Sequence, residues 1–97
     1  MNIVKNVDGS KLNVALEGRL DTSSAPQLEA EMKALDGVTE LVIDMAGLEY
    51  LSSAGLRVLL AAQKTMNKQG SMVLHNVNET IMEVFEITGF VDILTIE

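Results

Sequence analysis

Along the chain the spacing of apolar residues changes between period two and period 3.6, and each change is punctuated. Ile3–Val7 and Leu12–Leu16 read as strands, the second alternating at Leu12, Val14 and Leu16. Asp8-Gly9 between them is a hairpin signal, because glycine accepts the positive φ that tight turns demand. Ala25, Leu28, Met32 and Leu35 then recur at helical spacing, with Glu29, Glu31 and Lys33 off that stripe. Ser24 and Gln27 form a capping-box pattern, Pro26 falls in the first turn, and Gly37 follows as a stop.

Leu41-Val42-Ile43-Asp44-Met45 is nearly continuous in apolar character, as a central strand covered on both faces would be. A second helix is predicted from about Ser53 to Gln69, with Leu56, Leu59, Leu60, Gln63 and Met66 on one face. Gly70 closes it, and Met72-Val73-Leu74 follows as a strand. Asn78 can cap a short helix through Ile81, Val84 and Phe85, which Gly89 stops. Val91–Ile96 completes the pattern as a last strand. The order β-β-α-β-α-β-α-β defines an α/β class. Helices lying between strands imply crossover connections and a mostly parallel sheet, to which the hairpin adds an N-terminal antiparallel strand. Residues 1–97 are expected to form a single domain, with the order of strands in the sheet left open.

Composition narrows the address and the partners. With 47% hydrophobic and 22% charged residues, neither disorder nor a fibrous repeat is indicated. The absence of cysteine removes disulfides and thiolate zinc sites. Met1–Asn6 has no charged start leading into an apolar run, and Leu56–Ala62 contains Arg57 and is too short to span a bilayer. A cytoplasmic location is expected. Fourteen acidic against seven basic residues give a formal charge of −7, with the cations scattered. Nucleic acid and anionic membranes are poor partners for such a surface, whereas a basic or neutral protein is an easier one.

The richest stretch runs from Asp44 to Leu56, where a strand ends, a loop follows, and a helix begins at Ser52-Ser53-Ala54-Gly55-Leu56. A hydroxyl at a helix N-terminus faces free N–H groups and the positive end of the dipole, so a phosphate is tolerated there. From these residues alone plain helix capping is the favoured reading of the serines. Gly55 removes a side chain where a partner's backbone could approach. Gly18-Arg19-Leu20-Asp21-Thr22 is a second candidate, a turn whose Asp21 or Thr22 helps to cap the first helix and which could neighbour Ser53. Tyr50, beside the serine pair, suits either an interface anchor or ordinary packing.

Catalytic readings find little support. Ser53, His75 and Asp44 contain the residue types of a hydrolytic triad, but Leu51 breaks the G-x-S-x-G elbow around Ser53. No phosphate-binding glycine loop or dinucleotide fingerprint occurs. Asp21 and Asp44 alone are a thin basis for Mg²⁺. No catalytic residue, metal or cofactor is therefore assigned.

Four segments in order resemble the STAS domain family, specifically the bacterial anti-sigma-factor antagonists. Gly18-Arg19-Leu20-Asp21 is similar to that family's Gly-Glu-Leu-Asp turn, and Leu41–Met45 with Leu48 and Tyr50 to its central strand and loop. Ser52–Leu56 resembles its Asp-Ser-Ser/Thr-Gly-Leu signature, and Phe85–Phe90 its closing helix. The resemblance implies a single STAS domain over residues 1–97 and a non-enzymatic partner switch. In that switch a kinase-type anti-sigma factor, which itself binds ATP, is held by the unmodified antagonist, releasing a sigma factor. Ser53 matches the phosphoacceptor, which a dedicated serine phosphatase restores. Asp21, Thr22, Ser52, Ala54, Gly55 and Leu56 match the partner-binding positions. Ser52 stands where the family has Asp, so an unphosphorylated STAS scaffold or interaction module is the alternative.

Overall fold

A computed structural model describes residues 1–97. Strands β1 (Asn2–Asp8) and β2 (Lys11–Leu20) pair antiparallel around Gly9, whose φ of 61° supplies the turn. Strands β3 (Glu40–Leu51) and β4 (Ser71–His75) add in parallel, and the sheet order is β1-β2-β3-β4. Helix α1 (Ala25–Met32) connects β2 to β3, and α2 (Ser53–Gln69) connects β3 to β4. Helix α3 (Glu79–Thr88) follows, capped by Asn78, whose side chain accepts from the Ile81 N–H at 2.9 Å. No helix is long and apolar enough to cross a membrane.

Each strand lies beside its sequence neighbour, always progressing in the same direction. Right-handed crossovers in such an order place both connecting helices on one side of the sheet. Burial agrees: Leu12, Val14 and Leu16 of β2, Leu41, Ile43 and Met45 of β3, and Met72 and Leu74 of β4 all belong to one core. Leu28 of α1, Leu59 of α2 and Phe85 of α3 enter the same core. The intervening Asn13, Ala15, Val42, Asp44, Val73 and His75 are only half-buried. The expectation that Leu41–Met45 is covered on both faces is thus corrected; Val42 and Asp44 lie on an open face.

Two strands outrun the sequence pattern. Gly18-Arg19-Leu20 continues β2 instead of forming a turn, and Ala46–Leu51 continues β3 instead of forming a loop. Between Ala15 and Glu17, and again between Gly18 and Arg19, β3 advances one residue more than β2. These bulges shift the buried phase from Met45 to Leu48 and then to Leu51, which breaks the two-residue alternation.

Conversely, the strand expected over Val91–Ile96 is reduced to a single rung. Gly89, at φ 79°, ends α3 in the left-handed conformation, and Phe90–Asp92 form a 3₁₀ turn. Hydrogen bonds from Asp92 N–H to Gly89 O and from Ile93 N–H to Phe90 O hold that turn, leaving only Ile96 to bridge Leu74. Helix α1 also stops at Met32, short of Leu35 and Gly37.

Candidate functional site

The bulged strands β2 and β3 project together beyond β4. Their last rung pairs Leu20 with Leu51, and Ser52 N–H donates to Leu20 O at 2.9 Å. One residue further, Asp21-Thr22 and Ser52-Ser53 leave the sheet side by side. The two candidate segments are therefore brought together by strand pairing.

At the start of α2 the two serines have different jobs. Ser52 is the N-cap, in extended conformation, and its hydroxyl accepts from the Gly55 N–H at a long 3.5 Å. Ser53 is the first helical residue, exposed, and its hydroxyl makes no hydrogen bond to the protein. Capping accounts for Ser52 and leaves the Ser53 hydroxyl free. Ser52→Ala is accordingly expected to cost about 0.5–1 kcal/mol, the low end for a cap with so long a bond. Ser53→Ala should stay within about 0.5 kcal/mol of the parent. Urea unfolding of both variants checks the pair; a larger loss at Ser53 would reverse the assignment.

Gly55 and Leu56 face inward. A Cβ on Gly55 would lie 2.6 Å from Leu20 Cγ and 2.7 Å from Leu51 Cδ1, and Leu56 is buried in the core. Gly55 therefore lets α2 sit down on the ends of β2 and β3, a packing role that the sequence reading did not include. Both lie buried beneath the first turn of α2, on which Ser53 is exposed. Ala54 is half-buried, and Thr22 is exposed.

Asp21 is committed to the turn before α1. Its Oδ1 accepts from Ser23 Oγ at 2.7 Å, Ser23 N–H at 3.0 Å and Ser24 N–H at 3.1 Å, and its carbonyl accepts from Ala25 N–H at 2.7 Å. Ser24 donates its hydroxyl to Arg19 O at 2.7 Å and does not cap α1, so the expected Ser24–Gln27 box does not form. The Ser23 hydroxyl and the turn N–H groups hold the Asp21 carboxyl below its ordinary value of 3.8. Asp44 is lowered likewise, chiefly by the Ala46 N–H and then by the Asn76 side chain. A carboxyl depressed in the folded state adds stability above the unfolded value and loses it as pH falls through the folded one. Asp44→Asn should therefore lower the urea midpoint at neutral pH, with the gap to wild type closing as pH drops below about 4. A gap independent of pH would contradict this account.

Arg19 and Tyr50, paired across β2 and β3, form a contact that spacing did not reveal. The guanidinium sits 4.2 Å from the ring centroid, and its Nε lies 3.7 Å from Asp21 Oδ2. Only the bulged register places them opposite each other, although the two residue types common at interfaces gave a hint. Arg57 follows Ser53 by four positions, which puts both on one side of α2. A groove of about 500 Å³ runs between α1 and α2 from this end, floored by Ala25, Met32, Val58 and Ala62, with Glu29 and Arg57 charged at its margin.

Other sequence candidates fall apart in space. Asp44 pairs with His75, but Leu51 lies seven strand residues beyond Asp44, roughly 20 Å at ordinary strand rise. Ser53, His75 and Asp44 thus cannot form a triad, and the same separation keeps Asp44 from Asp21 and from any phosphate at Ser53. A strand order that never reverses also provides no switch-point crevice for a small ligand.

Residues 3–95 match the family model described as "Mlab, STAS domain". The chain is 41% identical over 93 residues to BtrV of Bordetella bronchiseptica, which bears the name of an anti-sigma factor antagonist; the match covers 93% of this chain and 79% of that one. It is 33% identical over 98 residues to the anti-sigma-B factor antagonist of Bacillus subtilis, covering 99% and 88% of the two chains. The crystal structure of an anti-sigma factor antagonist from Mycobacterium paratuberculosis superposes with a TM-score of 0.88 at 24% identity, over 98% of this chain and 83% of that one. The chain belongs to the STAS domain family.

Proposed function

We propose that this STAS domain is a cytoplasmic anti-sigma-factor antagonist. It binds a kinase-type anti-sigma factor, so releasing a sigma factor, and reversible phosphorylation of Ser53 controls the binding. The carrying observation is the exposed, unbonded Ser53 hydroxyl on the first turn of α2, with the cap supplied by Ser52. Named relatives at 41% and 33% identity support the antagonist role. The partner surface comprises Thr22, Ser53, Ala54 and the Arg19–Tyr50 pair, with Asp21, Ser52, Gly55 and Leu56 holding it in shape.

A phosphate on Ser53 adds about −1.5 to −2 charges at the positive end of α2, where the helix tolerates it. Arg57, one turn on, offers a cation from the same helix side. Modification is thus expected to leave the fold standing while changing the charge of the contact surface. The test is phosphate transfer from ATP by the cognate kinase, mapped by mass spectrometry. Label at Ser53, lost in Ser53→Ala and removed by the serine phosphatase, is the expected result. Binding without any label would favour the second reading, an unphosphorylated interaction module, for which Ser52 in place of the family's Asp speaks.

A further inference from the structure

We propose that the C-terminal end of α3 and the turn after it form a second docking surface, for a basic amphipathic protein segment. Ile87 is 85% exposed, Ile93 49% and Val91 40%, three large apolar side chains within seven consecutive residues. Single exposed apolar residues are ordinary, but three large ones so close in sequence set this end of the chain apart. Val84, one helical turn before Ile87, is half-buried and packs against the core.

Charge selects the occupant. After Lys68 the chain carries Glu79, Glu83, Glu86, Asp92 and Glu97 and no Lys or Arg. Glu83 precedes Ile87 by four positions on the same side of α3, and Asp92 lies between Val91 and Ile93. An anionic lipid surface would be repelled by these carboxylates. A second copy of this face would oppose acid to acid. A segment with bulky apolar residues flanked by Lys and Arg satisfies both the apolar group and its acidic surround.

The surface is separate from the Ser53 end. Asn78 Nδ2 donates to Leu48 O at 2.8 Å, anchoring the start of α3 near the projecting strands. The helix then runs back about 15 Å over its ten residues, carrying Ile87 away from that end.

The test is an amide-shift titration of the ¹⁵N-labelled chain with a helical peptide about 18 residues long, leucine at heptad a and d positions and lysine elsewhere. Shifts should concentrate between Val84 and Leu94, and the double variant Ile87→Ser/Val91→Ser should bind about tenfold more weakly with the rest of its spectrum unchanged. The same peptide with glutamate replacing lysine should not bind. Shifts centred elsewhere, no shifts at all, or equal binding by the double variant would overturn the proposal. So would binding to phosphatidylglycerol vesicles through this patch, or a dimer that the double variant dissociates.

Discussion

Replacing Gly70 by alanine is expected to lower the stability of the folded chain by about 3 kcal/mol or more. A Cβ there would overlap the Thr39 carbonyl oxygen and lie 2.6 Å from its carbon. That carbonyl cannot easily give way. It accepts from the Ser71 N–H at 3.0 Å, while Thr39 N–H donates to Ser10 O at 2.9 Å. Gln69 adds a further constraint, its side-chain amide donating to Leu35 O at 2.6 Å and Val38 O at 2.7 Å. The end of α2, the start of β3 and the start of β4 would all have to move. Gly89 is the control: it has a positive φ but open space around a Cβ, so Gly89→Ala should cost only about 1–2 kcal/mol. Urea midpoints of the two variants decide the matter. A Gly70→Ala loss no larger than that of Gly89→Ala would mean that this corner relaxes.

The second large effect is on binding. Ser53→Glu is expected to weaken affinity for the anti-sigma factor about 30- to 150-fold, equivalent to about 2–3 kcal/mol. The added carboxylate occupies an exposed position on the first turn of α2, where no packing is disturbed, so the unfolding midpoint should barely change. Ser53→Gln separates size from charge and should retain more of the affinity. Calorimetric titration with the proposed kinase-type partner measures all three proteins. If Ser53→Glu binds as tightly as the parent, the switch does not work through charge at this position.

Much of the scaffold was legible because short-range chemistry marks it. Helix α2 is found from Ser53 to Gln69 as read, since its apolar arc, the serine pair and Gly70 all agree. Asn78 and Gly89 bracket α3 for the same reason. The extension of β3 to Leu51 was hidden because each bulge inserts a residue and moves the buried positions out of phase. The last strand was over-read: Val91–Ile96 alternates as a strand would, but the turn following Gly89 consumes residues that would have paired. Within Ser52–Leu56, sequence did not show how the residues divide between capping, packing and exposure. Which serine caps depends on a single residue of helix boundary, and the inward role of Gly55 depends on Leu20 and Leu51 arriving from two separate strands. Arg19 and Tyr50 meet only through a register that no local pattern encodes.

The uninterrupted succession of strands also bears on how the molecule is made. Every pairing joins consecutive strands, so each new strand adds to an edge that already exists, the two parallel pairs across a helical crossover. As the chain leaves the ribosome, β1, β2, α1 and β3 can assemble before β4 has emerged. Leu20 and Leu51, on which Gly55 rests, both precede α2 in the chain. The residues that shape the surface around Ser53 are thus all synthesised before β4, and α3 with the turn after it comes last.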